Sequence, residues 1–205
     1  MPLSSDDIEK LKHAPAIPGI PDLILRRWSP RAFSGRDISS EDLTKIFEAA
    51  HWAASSFNEQ PWRFFVGRRN DPTWKKIFDS LMEFNQSWTK SAPVLILSIA
   101  KKTFSHNGAP NAFALHDTGA ATATLALAAT ALGFHTHSMA GYDQQKARGL
   151  FAIPSDYDMG AVTAAGYFGD PDQLPGQMKE RELAPRERRP LSEFVFAEFD
   201  HPATL

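Results

Sequence analysis

The sequence predicts a single domain of mixed α and β structure, with helices and short strands sharing one core. Three stretches carry that expectation. Leu43, Ile46, Phe47, Ala50 and Ala54 recur at three- and four-residue steps, and the aromatic run Trp62-Arg63-Phe64-Phe65-Val66 follows closely, so a helix with one buried face hands over to a strand. Val94 to Ala100 is apolar but for Ser98, the pattern of a central strand covered on both faces. Phe113 to Leu132 is nearly all Ala, Thr and Leu, the composition of a close-packed, buried helix.

A chain of 205 residues, 42% hydrophobic, can bury one core well and is short for two, so one domain is expected over 1–205. A net charge of −2 and a pI near 6.4 offer no global attraction to nucleic acid or an anionic membrane, so any phosphate must be held locally. The chain has no cysteine, which excludes disulfides, thiolate metal sites and a cysteine nucleophile. Met1 to Lys12 carries Asp6, Asp7, Glu9, Lys10 and Lys12 in place of an apolar signal core. Gly119 to Phe134 is interrupted by threonines and falls short of the ~20 apolar residues of a membrane span. A cytoplasmic protein without a membrane partner is expected.

In chain order, Ser5 to His13 predicts a short helix, and the proline-rich segment 14–21 an extended arm. The arm leads to Arg26-Arg27-Trp28-Ser29-Pro30-Arg31-Ala32-Phe33. Alternation along an extended segment puts Arg27, Ser29 and Arg31 on one side, two guanidiniums flanking a hydroxyl, which makes a phosphate clamp. Trp28 and Phe33 are packing residues, since no wider basic surface accompanies them. Ser39 or Ser40 caps the helix expected over Glu41 to Ala54. Where it stops, Ala54, Ser55, Ser56, Asn58 and Gln60 cluster. Their hydroxyls and amides suit either the edge of a flat polar heterocycle or the closing of a turn.

Beyond the first strand, Asp71 and Pro72 read as N-cap and first helical residue, with Trp74, Ile77, Phe78 and Leu81 as the buried stripe of a helix expected to frame the site. Ala92-Pro93 opens the central strand. Lys101 to Asn111 is either a substrate-facing lid or a surface connection. Gly133 is placed to end the long helix. His135 and His137 lie two apart without a third ligand at a useful spacing, so no metal is expected. Gln144 to Phe151 predicts a short helix and Ala161 to Phe168 a strand. Residues 172–190 are polar and proline-interrupted, a solvated linker by composition, and Phe194 to Phe199 has strand character. No Ser/His/Asp or paired-carboxylate constellation stands out.

Taken together, R-x-S-x-R-x-F from Arg27 to Phe33 and A-A-S-S-x-N-x-Q-P-W from Ala53 to Trp62 resemble the nitroreductase family of FMN-dependent oxidoreductases. The resemblance implies the α+β class, with a central, mostly antiparallel sheet flanked by helices, in an intertwined homodimer with C-terminal strand exchange, residues 172–205 reaching the partner. It implies bound FMN, NADH or NADPH as electron donor, and ping-pong transfer to a nitroaromatic, a quinone or a similar electron-poor acceptor. The same fold also serves dehalogenation, flavin cleavage or FMN binding without catalysis.

Carried over residue by residue, the resemblance puts Arg27, Ser29 and Arg31 with the late pair Arg186 and Arg188 at the phosphate. Ala54, Ser55, Ser56, Asn58 and Gln60 go to the ring, and Asn85 to the ring edge unless it bonds its own backbone. A backbone N–H of the Met139-Ala140-Gly141 loop faces the reactive ring nitrogen. Many relatives have an acidic residue where this chain has Ala140, and some a lysine shortly after the Asn85-like position, where Trp88 stands here with Lys90 nearby. Arg31 is the expected cation beside the flavin pyrimidine. Phe57, Trp88, Phe104, Phe113 and the 101–111 loop form the substrate rim. The flavin carries the chemistry, so no catalytic side chain is needed. The 53–62 and 139–141 segments are expected on different subunits' sides of each flavin.

Overall fold

The computed structural model describes residues 4–204. In chain order it contains α1 (Ser5–Lys12), α2 (Asp22–Arg26), α3 (Ser40–His51), β1 (Trp62–Arg68), α4 (Pro72–Ser80), α5 (Glu83–Thr89), β2 (Val94–Lys101), α6 (Ala114–Ala131), β3 (His135–Met139), α7 (Gln144–Leu150), β4 (Tyr157–Gly166), α8 (Gly176–Leu183), β5 (Phe196–Glu198) and β6 (His201–Pro202). The main sheet runs β1-β2-β4-β3 and every pairing in it is antiparallel. This is the α+β arrangement expected, with helices on both faces.

The apolar run in β2 is explained by those two faces. Leu95, Leu97 and Ile99 join Val162 and Ala164 of β4 against Ile77, Leu81, Trp88 and Ala147. Val94 and Ile96 join Ala165 against Ile46 and Ala50 of α3 and Ala121, Leu125 and Ala129 of α6. Alternate side chains thus enter opposite cores, and neither core tolerates a charge. Gly67 sets how closely α4 approaches β1. A Cβ there would lie 2.2 Å from the Trp74 backbone nitrogen, so any larger residue would force the layers apart.

The helix caps follow local chemistry. Ser39 Oγ accepts from the Asp42 N–H at 3.0 Å, and Asp71 accepts from the Trp74 N–H at 2.6 Å with Pro72 as the first helical residue. Several boundaries differ from expectation. α3 ends at His51, where the Trp52 N–H turns back to Ala49 and Ala50, so Ala54 lies outside the helix and is exposed. β4 starts at Tyr157 rather than Ala161, continued by pairing with the far end of β2. The arm 14–21 leads into the unexpected α2. The segment read as a linker holds α8, whose eight residues fit between Pro175 and Pro185. α6 is buried on the side of Ala121 and Leu125, while Leu115, Gly119 and Ala123 are exposed. The tail folds back as the β5–β6 hairpin with Phe194 and Phe199 exposed. No helix among the described residues is long and apolar enough to cross a membrane.

Candidate functional site: an arginine-lined cleft

A cleft of about 530 Å³ lies between α6 and the segment after α2, lined by Arg27, Ser29, Ser98, Thr136, Ser138, Gly160, Ala161 and the open face of α6 from Leu115 to Ala126. That size is within the roughly 300–1,000 Å³ of small-molecule sites. Arg27 ends α2 in an extended conformation. Downstream, Gly169 N–H donates to Ala32 O and Ser34 N–H to Tyr167 O, so the segment is anchored along 167–169. The expected alternation brings Arg27 and Ser29 together, with Arg27 Nη1 donating to Ser29 Oγ at 3.1 Å. Arg186 reaches the same place from beyond α8, donating to Arg27 O at 2.7 Å and to Leu25 O.

The cleft is short of negative charge. Burial and then Arg188 press the Arg27 guanidinium below its usual range; burial, Arg27 and Arg188 do the same to Arg186. Burial also lowers Arg31, which Glu182 partly offsets. Arg31 Nε and Arg186 Nε are buried without a hydrogen-bond partner. Of the three arginines, Arg27 lines the cleft with Ser29, while Arg31 does not and Arg186 stands behind Arg27 with both Nη atoms on backbone carbonyls; the Arg27 guanidinium beside the Ser29 hydroxyl suits an anionic group in the cleft. These residues therefore fit the phosphate end of FMN.

Behind the segment, His137 Nδ1 lies 3.0 Å from Pro30 O, so the ring carries its proton on Nδ1. Its ring packs on Trp88 with centroids 4.6 Å apart. Burial, then Arg31, pushes the imidazole down to about 4, leaving it neutral at ordinary pH. His135 is bonded instead to Glu9, Nε2 to Oε1 at 2.7 Å. On the opposite side Glu182 Oε1 accepts from Arg31 N–H at 2.6 Å and Ala32 N–H at 2.9 Å. Burial raises the Glu182 carboxyl, against those two bonds and the charges of Arg31 and Lys12.

The remaining expected site residues lie apart from this cleft within one chain. The Ser55–Gln60 turn is closed on itself: Gln60 N–H donates to Ser55 Oγ at 3.0 Å and Gln60 Nε2 to Asn58 O at 3.0 Å. Phe57, Asn58 and Gln60 hold positive φ of 51°, 53° and 51°, strain that clusters at functional sites. Asp117 of α6 fixes the turn, accepting from Ser56 N–H at 2.9 Å. Asn85 bonds neither a helix end nor open space. Its Nδ2 donates to Gly141 O at 2.8 Å and its Oδ1 accepts from Trp88 Nε1 at 3.3 Å, so it sets the Met139-Ala140-Gly141 loop. A Cβ on Gly141 would lie 2.6 Å from that amide nitrogen. Ala140 is exposed and Met139 buried.

Two expectations need correction. Trp88 is 2% exposed, in the core against Phe33 and His137, so it is not a rim residue. α4 packs on the sheet face away from the cleft and does not frame it. Asp117 and Glu182 were not singled out by sequence, and His137 was weighed only as a metal ligand. Only Asp117 left a signal, as the single acid in an Ala/Thr/Leu helix.

An α+β scaffold with an arginine and a row of hydroxyls in one cleft suits a polar, anionic small molecule. More narrowly, the nitroreductase family profile matches residues 24–87 and 70–167, and the chain belongs to the nitroreductase family. A candidate NADH dehydrogenase/NAD(P)H nitroreductase of Archaeoglobus fulgidus is 32% identical over 152 residues, 72% of this chain and 84% of the relative. The crystal structure of an oxidoreductase containing FMN superposes with a TM-score of 0.84 at 38% identity, over 90% of this chain and 94% of that one. A candidate nitroreductase from Desulfovibrio desulfuricans in complex with FMN gives a TM-score of 0.66 at 28% identity, over 86% and 94%.

Proposed function

We propose that the chain is an FMN-dependent oxidoreductase that draws electrons from NADH or NADPH and passes them to nitroaromatic, quinone or similar electron-poor acceptors. The observation that carries this is the Arg27 guanidinium beside the Ser29 hydroxyl in the wall of one cleft, with Arg186 packed behind on the Arg27 carbonyl and neither guanidinium set against a countercharge. Relatives support it by what they hold: FMN in two solved structures, and NAD(P)H chemistry in the name of the archaeal protein. When bound, FMN would supply the two-electron chemistry, with donor and acceptor using the same slot in turn.

The chain's own residues then bind and tune. Arg27, Ser29 and Arg186, joined by Arg188, hold the phosphate through charge-assisted hydrogen bonds. Arg31 adds a fixed, half-buried positive charge, which favours negative charge developing on a neighbouring ligand. Asn85 holds the 139–141 loop in place. The Ser55–Gln60 turn contributes from a second copy in a homodimer with two sites, the exposed α6 face of Leu115, Gly119 and Ala123 being the contact. Within 172–205, α8 is tied to its own arginine segment by Glu182, so the part reaching the partner is the exposed stretch after Pro190.

The test is the visible spectrum of FMN-reconstituted protein, followed anaerobically on adding NADPH and then NADH. Bleaching of a bound flavin is expected. A bound flavin that stays oxidised favours the storage or other-chemistry alternatives, and a colourless protein that refuses FMN contradicts the cofactor.

A further inference from the structure

The Ser55–Gln60 turn carries a bulky aromatic residue where one costs most. Phe57 is 83% exposed and holds a φ of 51°, so its ring fills no core and its backbone is strained. Its aromatic neighbours come from the loop between β2 and α6. Phe104 meets the Phe57 ring edge to face, with centroids 5.6 Å apart at 86°, and His106 lies 6.1 Å from Phe57 and 5.5 Å from Phe104. Three rings thus share one patch, with Phe57 and His106 exposed, and the face of a phenyl ring is electron-rich.

The loop itself is a narrow hairpin. Thr103 pairs with Pro110, Phe104 N–H donates to Ala109 O at 2.8 Å, and Asn111 N–H donates to Lys102 O at 2.7 Å at the base. Among the described residues, every hydrogen bond that leaves 103–110 for the rest of the chain ends on Glu59. Ser105 N–H lies 2.9 Å from both carboxylate oxygens, and Ser105 Oγ donates to Oε1 at 2.6 Å. The hydroxyl first, then the N–H, hold the Glu59 carboxyl below its usual range. Asp117 fixes the other side of the same turn through Ser56 N–H, so Glu59 joins a mobile-length loop to an anchored one.

Resting on the function proposed above, in which the Ser55–Gln60 turn borders the slot that takes the acceptor, we propose that Glu59 is a positioning residue that latches the 103–110 loop onto the turn. Phe57, Phe104 and His106 then form one platform that selects flat, electron-poor aromatic acceptors by stacking.

The test compares a flat acceptor with one that has no face to stack. FMN-reconstituted protein is reduced anaerobically by light, so that no nicotinamide enters, and its reoxidation is timed with 1,4-naphthoquinone and with ferricyanide. One quinone takes both electrons and two protons to become the hydroquinone; two ferricyanides take one electron each. Amide exchange over 103–110 is read on the same proteins. For Glu59→Ala, exchange should quicken, the quinone rate constant should fall roughly three- to tenfold, and the ferricyanide constant should stay within about twofold. Ser105→Ala removes the hydroxyl bond from the loop's side and should move both readouts the same way, which decides the latch should Glu59→Ala fail to fold. Phe104→Leu keeps the latch bonds and should lower the quinone constant alone. A merely structural contact would quicken exchange and leave the ratio of the two rate constants where it was; that result, or unchanged exchange in the latch variants, overturns the latch, and a Phe104→Leu ratio equal to wild type overturns the platform. Wild-type protein that binds no FMN, or that when reduced serves neither acceptor, sinks the proposed function together with this assignment. Wild-type protein active with the quinone and indifferent to the variants sinks this assignment alone.

Discussion

His137 shows how single residues of the cleft are set by what surrounds them. Its imidazole is pushed down to about 4 by burial and by Arg31, with Arg27 adding to the effect. Between that value and the ordinary 6.5, the unfolded chain binds a proton that the folded chain refuses. Stability therefore rises with pH across this window and is lost as pH falls from 6.5 towards 4. In cofactor-free protein the loss from this residue should be of order 2 kcal/mol, allowing for partial exposure of the ring. Urea denaturation of wild type and His137→Gln at several pH values isolates it: the variant should lose less stability over that range, and parallel pH profiles would contradict the assignment. At this scale, legibility depended on how far apart the partners lie in sequence. Arg27 and Ser29 were readable because two-residue alternation in an extended segment places them side by side. Glu182 meets Arg31 across 151 positions, and no local pattern records such a contact.

α6 shows what an element's composition does and does not disclose. Its small residues pack closely on α3 and the sheet, as the sequence suggested, yet one face stays open, because a stripe of Ala, Gly and Thr serves a core and an open groove equally well. The caps at Ser39 and Asp71 were legible, being local chemistry. α8 was not, since its flanking prolines and charge run look like a linker until Glu182 and Met178 are seen buried. The element also locks the amide turn. Asp117→Ala leaves the Ser56 N–H without its acceptor, and a hydrogen bond to a charged group contributes about 1.5–3 kcal/mol. Denaturation should show a loss of that order, with faster amide exchange confined to 55–60. Exchange unchanged in the turn would mean that Asp117 does not hold it.

At the level of the whole molecule, the reading proposed above gives the phosphate end of a site to the Arg27–Ser29 cleft, which the amide turn of the same chain does not line, and that is why a homodimer is expected. Sedimentation should give twice the 22.7 kDa chain mass. Gly119→Arg tests the contact face, since a Cβ at Gly119 meets nothing within 4 Å and arginine favours a helix over glycine by roughly 0.7–1 kcal/mol. A folded monomer is expected, and an unaltered dimer would move the interface elsewhere. The most direct measurement of all is the affinity of wild-type protein for FMN against riboflavin. With two or more charge-assisted contacts to the phosphate, FMN should bind at least about 30-fold more tightly, and Arg27→Ala should close most of the gap. Equal affinity for the two flavins would contradict the arginine cleft as the phosphate site.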